Sequence, residues 1–480
     1  MNNYGSYAVR GLVLAMAILL LSACAPTVHA PNPQDVRAPA FNRTLSALQQ
    51  QAQLPADTWP QIQWWHALND PQLDRIMAQG LSAQNPRLAA AADTVRWAAA
   101  MRQWRGAALG PQIGVTAAVT PMQYSGHGAF GALGLGNTMY DSGSVGLGFS
   151  QALDFWGKRQ DQLNAAIGVQ QAAQARLADT RRLLAAALLD NYLRWVGAIR
   201  QERYAQALQS LIQQQINLEE VRRRLGLSSD LPLQRLYVQV QQTESLREQW
   251  QTSAAAARFA LAELAGMTPD ALPLQPTPVR AELSPALPAH LSLDLIAHRP
   301  DVQAAQALAM AAAASTKAAR AEFYPDISFS ALLDMDSAHL ATLFVPGSFA
   351  YAFGPALHLP IFTGGALKGR FHGAEAHQAQ AVALYREQIL LAIRQVLTAL
   401  STYQGDSRER LAQNRVLLAA EQQVRLVQER VQDGIADQAT LLAEQEQLLR
   451  QKMRQEAADI ARLQSWAQLE CALGGGYGRS

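Results

Sequence analysis

Pro360-Ile361-Phe362-Thr363-Gly364-Gly365 precedes a stretch without proline that continues to Gly434-Ile435-Ala436, 69 positions after Gly365. An earlier stretch has the same form: Asp154-Phe155-Trp156-Gly157 precedes it, and Gly226-Leu227-Ser228 interrupts it 69 positions after Gly157. Helix interiors exclude proline because it lacks an N–H donor and clashes with the preceding turn. Both stretches are also rich in strong helix formers. The sequence therefore predicts one unit that occurs twice, each copy built on a helix of roughly 100 Å.

Apolar side chains in these stretches recur at the spacing of packed helices. In the first stretch, positions separated by three or four residues are occupied by Leu184, Leu188, Tyr192, Trp195 and Ile199. This spacing predicts a seam of coiled-coil type. A long isolated dimeric coiled coil would give the same spacing, but the two glycine interruptions argue against it.

Alternating polarity precedes each helical stretch. Apolar residues alternate with polar or small ones over 113–119 and 145–149, and again over 327–333 and 349–359. A period of two indicates strands, which could have lipid on one face or form an ordinary half-buried sheet. The glycine-rich residues 126–136 predict a hairpin loop between the first pair. Four strands cannot close a membrane barrel, whose smallest examples have about eight, so copies of the chain would have to share one.

The composition excludes several classes of function. The 480 residues include 40 basic and 38 acidic side chains, which argues against a nucleic-acid partner. Two cysteines are too few for a disulfide scaffold or a four-cysteine zinc site. The chain has no HExxH, GxSxG, Walker A or EF-hand pattern, and His372 and His377 are five positions apart, so they do not share a helix face. We therefore expect no enzyme, no metal and no cofactor.

The N-terminus has the features of a targeting signal. Residues 11–21 are apolar, too few to span a bilayer, which needs about 20. Leu21-Ser22-Ala23-Cys24 resembles the lipobox of bacterial lipoproteins, in which the cysteine becomes the first residue and is acylated. The resemblance predicts a signal peptide at 1–23, lipid attachment at Cys24 and, because Ala25 follows, sorting to the outer membrane. A plain secretory signal with a chance cysteine is the alternative.

Seven short motifs follow one another along the mature chain: WWHALNDPQL at 64–73, NPRL at 85–88, DFWG at 154–157, HRPD at 298–301, FYP at 323–325, PIFTGG at 360–365 and LGGGY at 473–477. In this order and spacing they resemble the motifs of the outer-membrane efflux protein family, the TolC-type channels. Within that family they are similar to the lipidated outer-membrane components of tripartite multidrug pumps. Residues 336–340 and the GGGY ending resemble the fusaric-acid-resistance branch.

The resemblance implies a mainly α fold with a transmembrane β-barrel. Three chains would form a 12-stranded barrel on a long α-helical coiled-coil tunnel, from a repeated unit of strand hairpin and long helix. The expected segments are a signal peptide at 1–23, a lipidated N-terminal segment with the first helices at 24–110, a first repeat at 111–284 and a second at 285–480.

The resemblance also implies a function and partners. The protein would be a channel in the cell outer membrane, lipid-anchored, with its helical tunnel in the periplasm. It would conduct drugs or toxic small molecules passively from a periplasmic adaptor (membrane fusion) protein and an inner-membrane pump to the exterior. A lipid-anchored periplasmic coiled-coil scaffold without a channel is the alternative, although a scaffold would not need paired strands.

The two glycine interruptions are the predicted periplasmic tips, since glycine accepts a positive φ without steric cost. In the family such tips meet the adaptor, which gives as docking candidates Gly226, Leu227, Ser228, Gly434, Ile435 and Ala436. Alternatively, the glycines only shape the turns and other residues bind. Asp230, Asp433 and Asp437 are the predicted acidic residues of the periplasmic entrance, where they would favour cations. The chain differs from the family pattern at Arg223, Val431 and Cys471.

Overall fold

The computed structural model describes residues 26–36, 60–273, 275–276 and 298–477. The chain forms two compact units. Among the described residues, the strand unit comprises 26–36, 94–173 and 305–385, and the helical unit comprises 60–93, 174–273, 275–276, 298–304 and 386–477. The predicted signal peptide and Cys24 lie outside the described residues. The segment boundaries near 110 and 284 stay predictions.

Seven α-helices and four strands are described in these ranges. The helices are α1 (Pro71–Gly80), α2 (Pro86–Ala107), α3 (Lys158–Arg224), α4 (Asp230–Ala265), α5 (Pro300–Ala321), α6 (Ala366–Gln432) and α7 (Gln438–Ala472). The strands are β1 (Gln112–Gln123), β2 (Met139–Leu153), β3 (Asp326–Ser337) and β4 (Phe349–His358). Among the described helices, none is long and apolar enough to cross a membrane.

The two long helices are equal in length. Helices α3 and α6 each contain 67 residues, which confirms the repeat that the glycine spacing predicts. Neither helix contains a proline, so no turn loses its backbone hydrogen bond to a missing donor.

The turn from β2 into α3 is built by the DFWG motif. Asp154 caps the helix by accepting hydrogen bonds from the amides of Arg159 and Gln160, at 3.1 and 2.8 Å. The indole of Trp156 stacks on Tyr324, with ring centroids 4.7 Å apart, and donates to the carbonyl of Pro325 at 2.9 Å. The motif therefore joins the start of α3 to the segment that leads into β3.

The four strands form one antiparallel sheet in the order β1-β2-β3-β4. Its register sets one apolar row across all strands, formed by Val115, Leu147, Leu333 and Tyr351. The next row, on the other face, contains Thr116, Gly146, Asp334 and Ala350. The predicted alternation is thus present, and the apolar row is exposed in the single chain.

The sheet has an unusual charge composition. Aspartates occur in β2 and β3, and none of the four strands contains lysine or arginine. Glycine-rich residues 126–136 connect β1 and β2, as the hairpin prediction requires.

The helical unit has its main apolar core around the predicted seam of α3. Leu184, Leu188, Tyr192 and Trp195 are all buried there. Trp64 packs edge-on against Trp466 of α7, with ring centroids 5.3 Å apart. The tryptophans of the first motif therefore belong to this core.

A buried ionic network explains the HRPD motif. Arg299, fully buried, donates to the carbonyl of Ala472 at 2.8 Å and to both carboxylate oxygens of Asp301. Arg182 also contacts Asp301, at 3.7 Å, and donates to the carbonyl of Cys471 at 2.7 Å. Burial by itself raises the pKa of Asp301, but the hydrogen bonds and charges of the two arginines lower it overall. Removing one member would leave a buried charge unpaired, which costs several kcal/mol, about 3–5.

Candidate functional site

The first predicted tip is the connection between α3 and α4. Helix α3 ends at Arg224 and α4 begins at Asp230. Gly226 has a φ of 71°, which glycine adopts without strain. Its amide donates to the carbonyl of Arg223 at 3.0 Å, and the amide of Leu227 donates to that of Arg222 at 2.8 Å. This pair of bonds is a Schellman motif, which satisfies the last carbonyls of a helix.

The second predicted tip, between α6 and α7, has the same backbone. Gly434 has a φ of 73° and donates to the carbonyl of Val431 at 3.1 Å, while Ile435 donates to that of Arg430 at 2.8 Å. Both glycines thus end a 67-residue helix in the same way.

The two tips lie side by side within the helical unit. The guanidinium of Arg222 donates to a carboxylate oxygen of Asp437 at 3.2 Å. Asp437 also caps α7, accepting from the amide of Thr440 at 2.9 Å and from its hydroxyl at 2.6 Å. The Thr440 hydrogen bonds, with a smaller effect of Arg222, lower the pKa of Asp437. The sequence did not reveal this link, since its two residues are 215 positions apart.

The docking candidates differ in exposure. Leu227 and Ile435 are 69% and 65% exposed, so both side chains are available to a partner. Ser228 and Ala436 are half-buried, and Ser228 contacts the carboxylate of Glu219. Two further exposed apolar residues, which the sequence analysis missed, are Leu225 and Leu231 at the first tip. Their spacing of two and four positions from Leu227 was the available signal.

The three acidic candidates do not form an equivalent set. Asp437 pairs with Arg222, and Asp230 pairs with Arg223 at 2.9 Å. The hydrogen bond from Arg223 to Asp230 raises the pKa of Arg223. Asp433 is exposed and forms no ion pair with any described residue. Two of the three predicted entrance carboxylates are therefore paired with arginines of the same chain. Asp433 is the third, and it has no such partner among the described residues.

The described ranges contain no group of three or more histidine, cysteine or acidic side chains placed to hold a metal. The tips present apolar side chains, arginines and carboxylates on two neighbouring turns. Such a surface is suited to protein contact.

Comparison with known proteins gives matches that cover both repeats. The family model "Outer membrane efflux protein" matches residues 77–267 and 291–475. The multidrug resistance outer membrane protein MdtP of Escherichia coli is 27% identical over 431 residues, 88% of each chain. The pyoverdine export outer membrane protein OpmQ of Pseudomonas aeruginosa is 29% identical over 475 residues, covering 98% of this chain and 97% of its own.

Solved structures match equally broadly. The outer-membrane channel OprN superimposes with a TM-score of 0.82 at 25% identity, covering 94% of this chain and 99% of its own. The outer membrane protein VceC of Vibrio cholerae gives a TM-score of 0.79 at 27% identity, covering 87% of this chain and all of its own.

Proposed function

The chain belongs to the outer membrane efflux protein family, and we propose that it is the outer-membrane channel of a tripartite efflux system. The observation that carries the proposal is the match of the family to both repeats, together with a fold similar to outer-membrane channels over most of the chain. The protein is an outer-membrane efflux channel and not an enzyme.

The assembly that we propose is a homotrimer. In the sheet order β1-β2-β3-β4, strands β1 and β4 each have one edge that no described strand pairs. Unpaired backbone groups in lipid cost several kcal/mol each, so a membrane-inserted sheet must be closed. Three copies give twelve strands, a number within the range of membrane barrels. The apolar row and the polar row of the sheet support lipid on one face and a water-filled lumen on the other.

The proposed cargo is a drug or another toxic small molecule. The relatives support this class, because MdtP is named for multidrug resistance and OpmQ for pyoverdine export. The proposed partners are a periplasmic adaptor protein, which contacts the two tips, and an inner-membrane pump that supplies the cargo. Exposed Leu227 and Ile435 support a contact at the tips.

The proposed anchor is a lipid on Cys24, which follows Leu-Ser-Ala at the end of the apolar segment. Replacing Cys24 with Ser should abolish labelling by radioactive palmitate, and label that persists would contradict the assignment. The proposed barrel would still hold the variant in the membrane, so export should fall without being lost.

The channel proposal is tested on purified full-length protein. Its mass in detergent should be that of three chains, and it should conduct ions after reconstitution into planar bilayers. A stable monomer would contradict the trimer. A trimer without conductance would instead favour the scaffold.

A further inference from the structure

The first described residues of the chain lie on α6. The amide of His29 donates to the carboxylate of Glu375 at 2.7 Å. One turn further along, the side-chain amide of Gln378 donates to the carbonyl of Pro31 at 3.0 Å. His372 contacts the other oxygen of Glu375 at 3.4 Å. All of these residues belong to the strand unit.

The contact is partly enclosed. Gln378 is only 4% exposed and Pro33 is buried, although both belong to surface segments. Asn32 accepts a hydrogen bond from the amide of Gln34 at 3.1 Å and so caps the short turn Pro33–Asp35. Residues 29–35 therefore follow a defined path over α6, which we call the N-terminal strap.

The position of the strap limits where residue 24 can be. Glu375 is nine residues after Ala366, the first residue of α6, which is about 14 Å along the helix axis. The five steps from His29 back to Cys24 span at most about 18 Å. A group attached to Cys24 can therefore reach the level at which α6 begins, with only about 4 Å to spare.

We propose that Glu375 and Gln378 form a seat for the acylated N-terminus, and that this seat holds the lipid anchor at the level where α6 begins. The inference rests on the proposed lipid at Cys24. A free tether would let the anchor sample many heights, whereas the seated strap gives each copy of the chain the same distance between anchor and sheet. The seat is thus a binding site for a segment of the chain itself.

Charge at Glu375 supports the seat. The His29 amide chiefly, and then His372, lower the pKa of Glu375. A carboxyl with a lowered pKa contributes stability above its ordinary pKa and loses that contribution as the pH falls through the lowered value. The contribution of Glu375 to the seat is therefore present at neutral pH and is lost in acid, whereas the hydrogen bond from Gln378 to Pro31 does not depend on pH.

The test is hydrogen exchange of residues 26–36, read by mass spectrometry on the full-length protein in phospholipid nanodiscs. Glu375→Ala should speed exchange of the His29 amide about tenfold or more, because the amide loses its acceptor. The matched control is Glu387→Ala, an exposed carboxylate on the same helix, which should leave exchange unchanged. Equal exchange in all three proteins would overturn the seat.

A deletion tests the link between seat and anchor. Removing residues 26–28 leaves two steps between Cys24 and His29, about 7 Å, which is half the distance to the start of α6. The acylated deletion variant should lose protection at His29, and Cys24→Ser in the same background should restore it. Protection retained in the acylated deletion variant would overturn the anchoring role.

The full-length Cys24→Ser variant separates this proposal from that of lipid attachment. Its His29 amide should stay protected, since α6 and not the membrane holds the strap. Loss of protection there would overturn the seat even if palmitate labels Cys24. Absence of label on the parent protein would refute the anchor and leave the exchange result as an independent measure of the strap.

Discussion

The two tips share one backbone and differ in almost every side chain. Gly226 and Gly434 have φ values within a few degrees and the same pair of hydrogen bonds to the preceding helix. At the position before the glycine, however, Leu225 corresponds to Asp433, and three positions after it Ser229 corresponds to Asp437. The first tip thus has more exposed leucine, and the second has more carboxylates.

This difference shows which features of a tip the fold requires. The turn needs a residue that accepts a positive φ and a helix on either side, and both repeats meet that need. The side chains around the glycine are not needed for the turn, so they are available for other roles. In the first tip they include three exposed leucines, Leu225, Leu227 and Leu231, and in the second Asp437 caps α7 and accepts a hydrogen bond from Arg222.

The largest expected difference concerns docking. We expect Leu227→Asp to abolish drug resistance while trimer mass stays normal, because a charge would replace an exposed apolar side chain between two other exposed leucines of the same turn. Loss of a central contact residue costs about 2 kcal/mol or more, roughly a 30-fold weaker contact. Ile435→Asp, at the equivalent position without apolar neighbours of this kind, should cost less than about tenfold. Adaptor binding and drug susceptibility measure both. Equal losses would show that the adaptor does not distinguish the tips.

The second difference concerns helix capping. Asp437→Ala removes the cap of α7 and the partner of Arg222, and a lost cap costs about 1 kcal/mol. Ser229→Ala is the matched control, because the Ser229 side chain forms no capping bond to any described residue. Hydrogen exchange in the first turns of α7 and α4 should rise only for the aspartate variant. A similar rise in both variants would show that the side-chain cap of Asp437 does not stabilise α7.

The third prediction is that the same substitution at the two tip glycines lowers the free energy of unfolding equally. Gly226→Ala and Gly434→Ala should each cost about 1 kcal/mol, because alanine at positive φ is strained and open space surrounds both sites. Denaturant unfolding of the two variants measures the costs. A gap of more than about 1 kcal/mol between them would contradict a shared backbone.

The smallest effect is that of pH. The pKa of Asp437 is lowered, so its link to Arg222 contributes above the ordinary aspartate pKa and is lost as the pH falls through the lowered value. Between pH 5 and 8 we therefore expect no change in exchange at the tips, and below about pH 4 a loosening of the start of α7 and of its contact with Arg222. Loosening that begins near pH 6 would point to a different group.

Local patterns in the sequence predicted most of the fold. Proline exclusion and glycine spacing gave two helices of equal length, and alternation gave the four strands, because both patterns depend on neighbours along the chain. The equal lengths placed both tips at one end, but the contact of Arg222 with Asp437 was not predictable, since these residues meet only through the packing of two helix pairs. The contact of His29 with Glu375, 346 positions away, has the same origin.

The sequence predicted the exposed apolar residues of the candidate site but not the ion pairs of its acidic residues. Leu227 and Ile435 were identified from their neighbouring glycines, and their exposure is consistent with that choice. The three acidic residues were grouped because they are close to the glycines in the sequence. Sequence position does not show which carboxylate lies beside an arginine. Asp230 and Asp437 have such partners, which only the folded chain reveals.

The absence of lysine and arginine from the four strands has a practical consequence for peptide mapping. Trypsin cuts after these residues, and none occurs between Arg105 and Lys158 or between Arg320 and Lys368. Each strand pair should therefore leave a complete digest as one long peptide, with both strands and their connecting loop intact. Two large, acidic, apolar fragments would then identify the membrane-inserted part of this protein by mass alone.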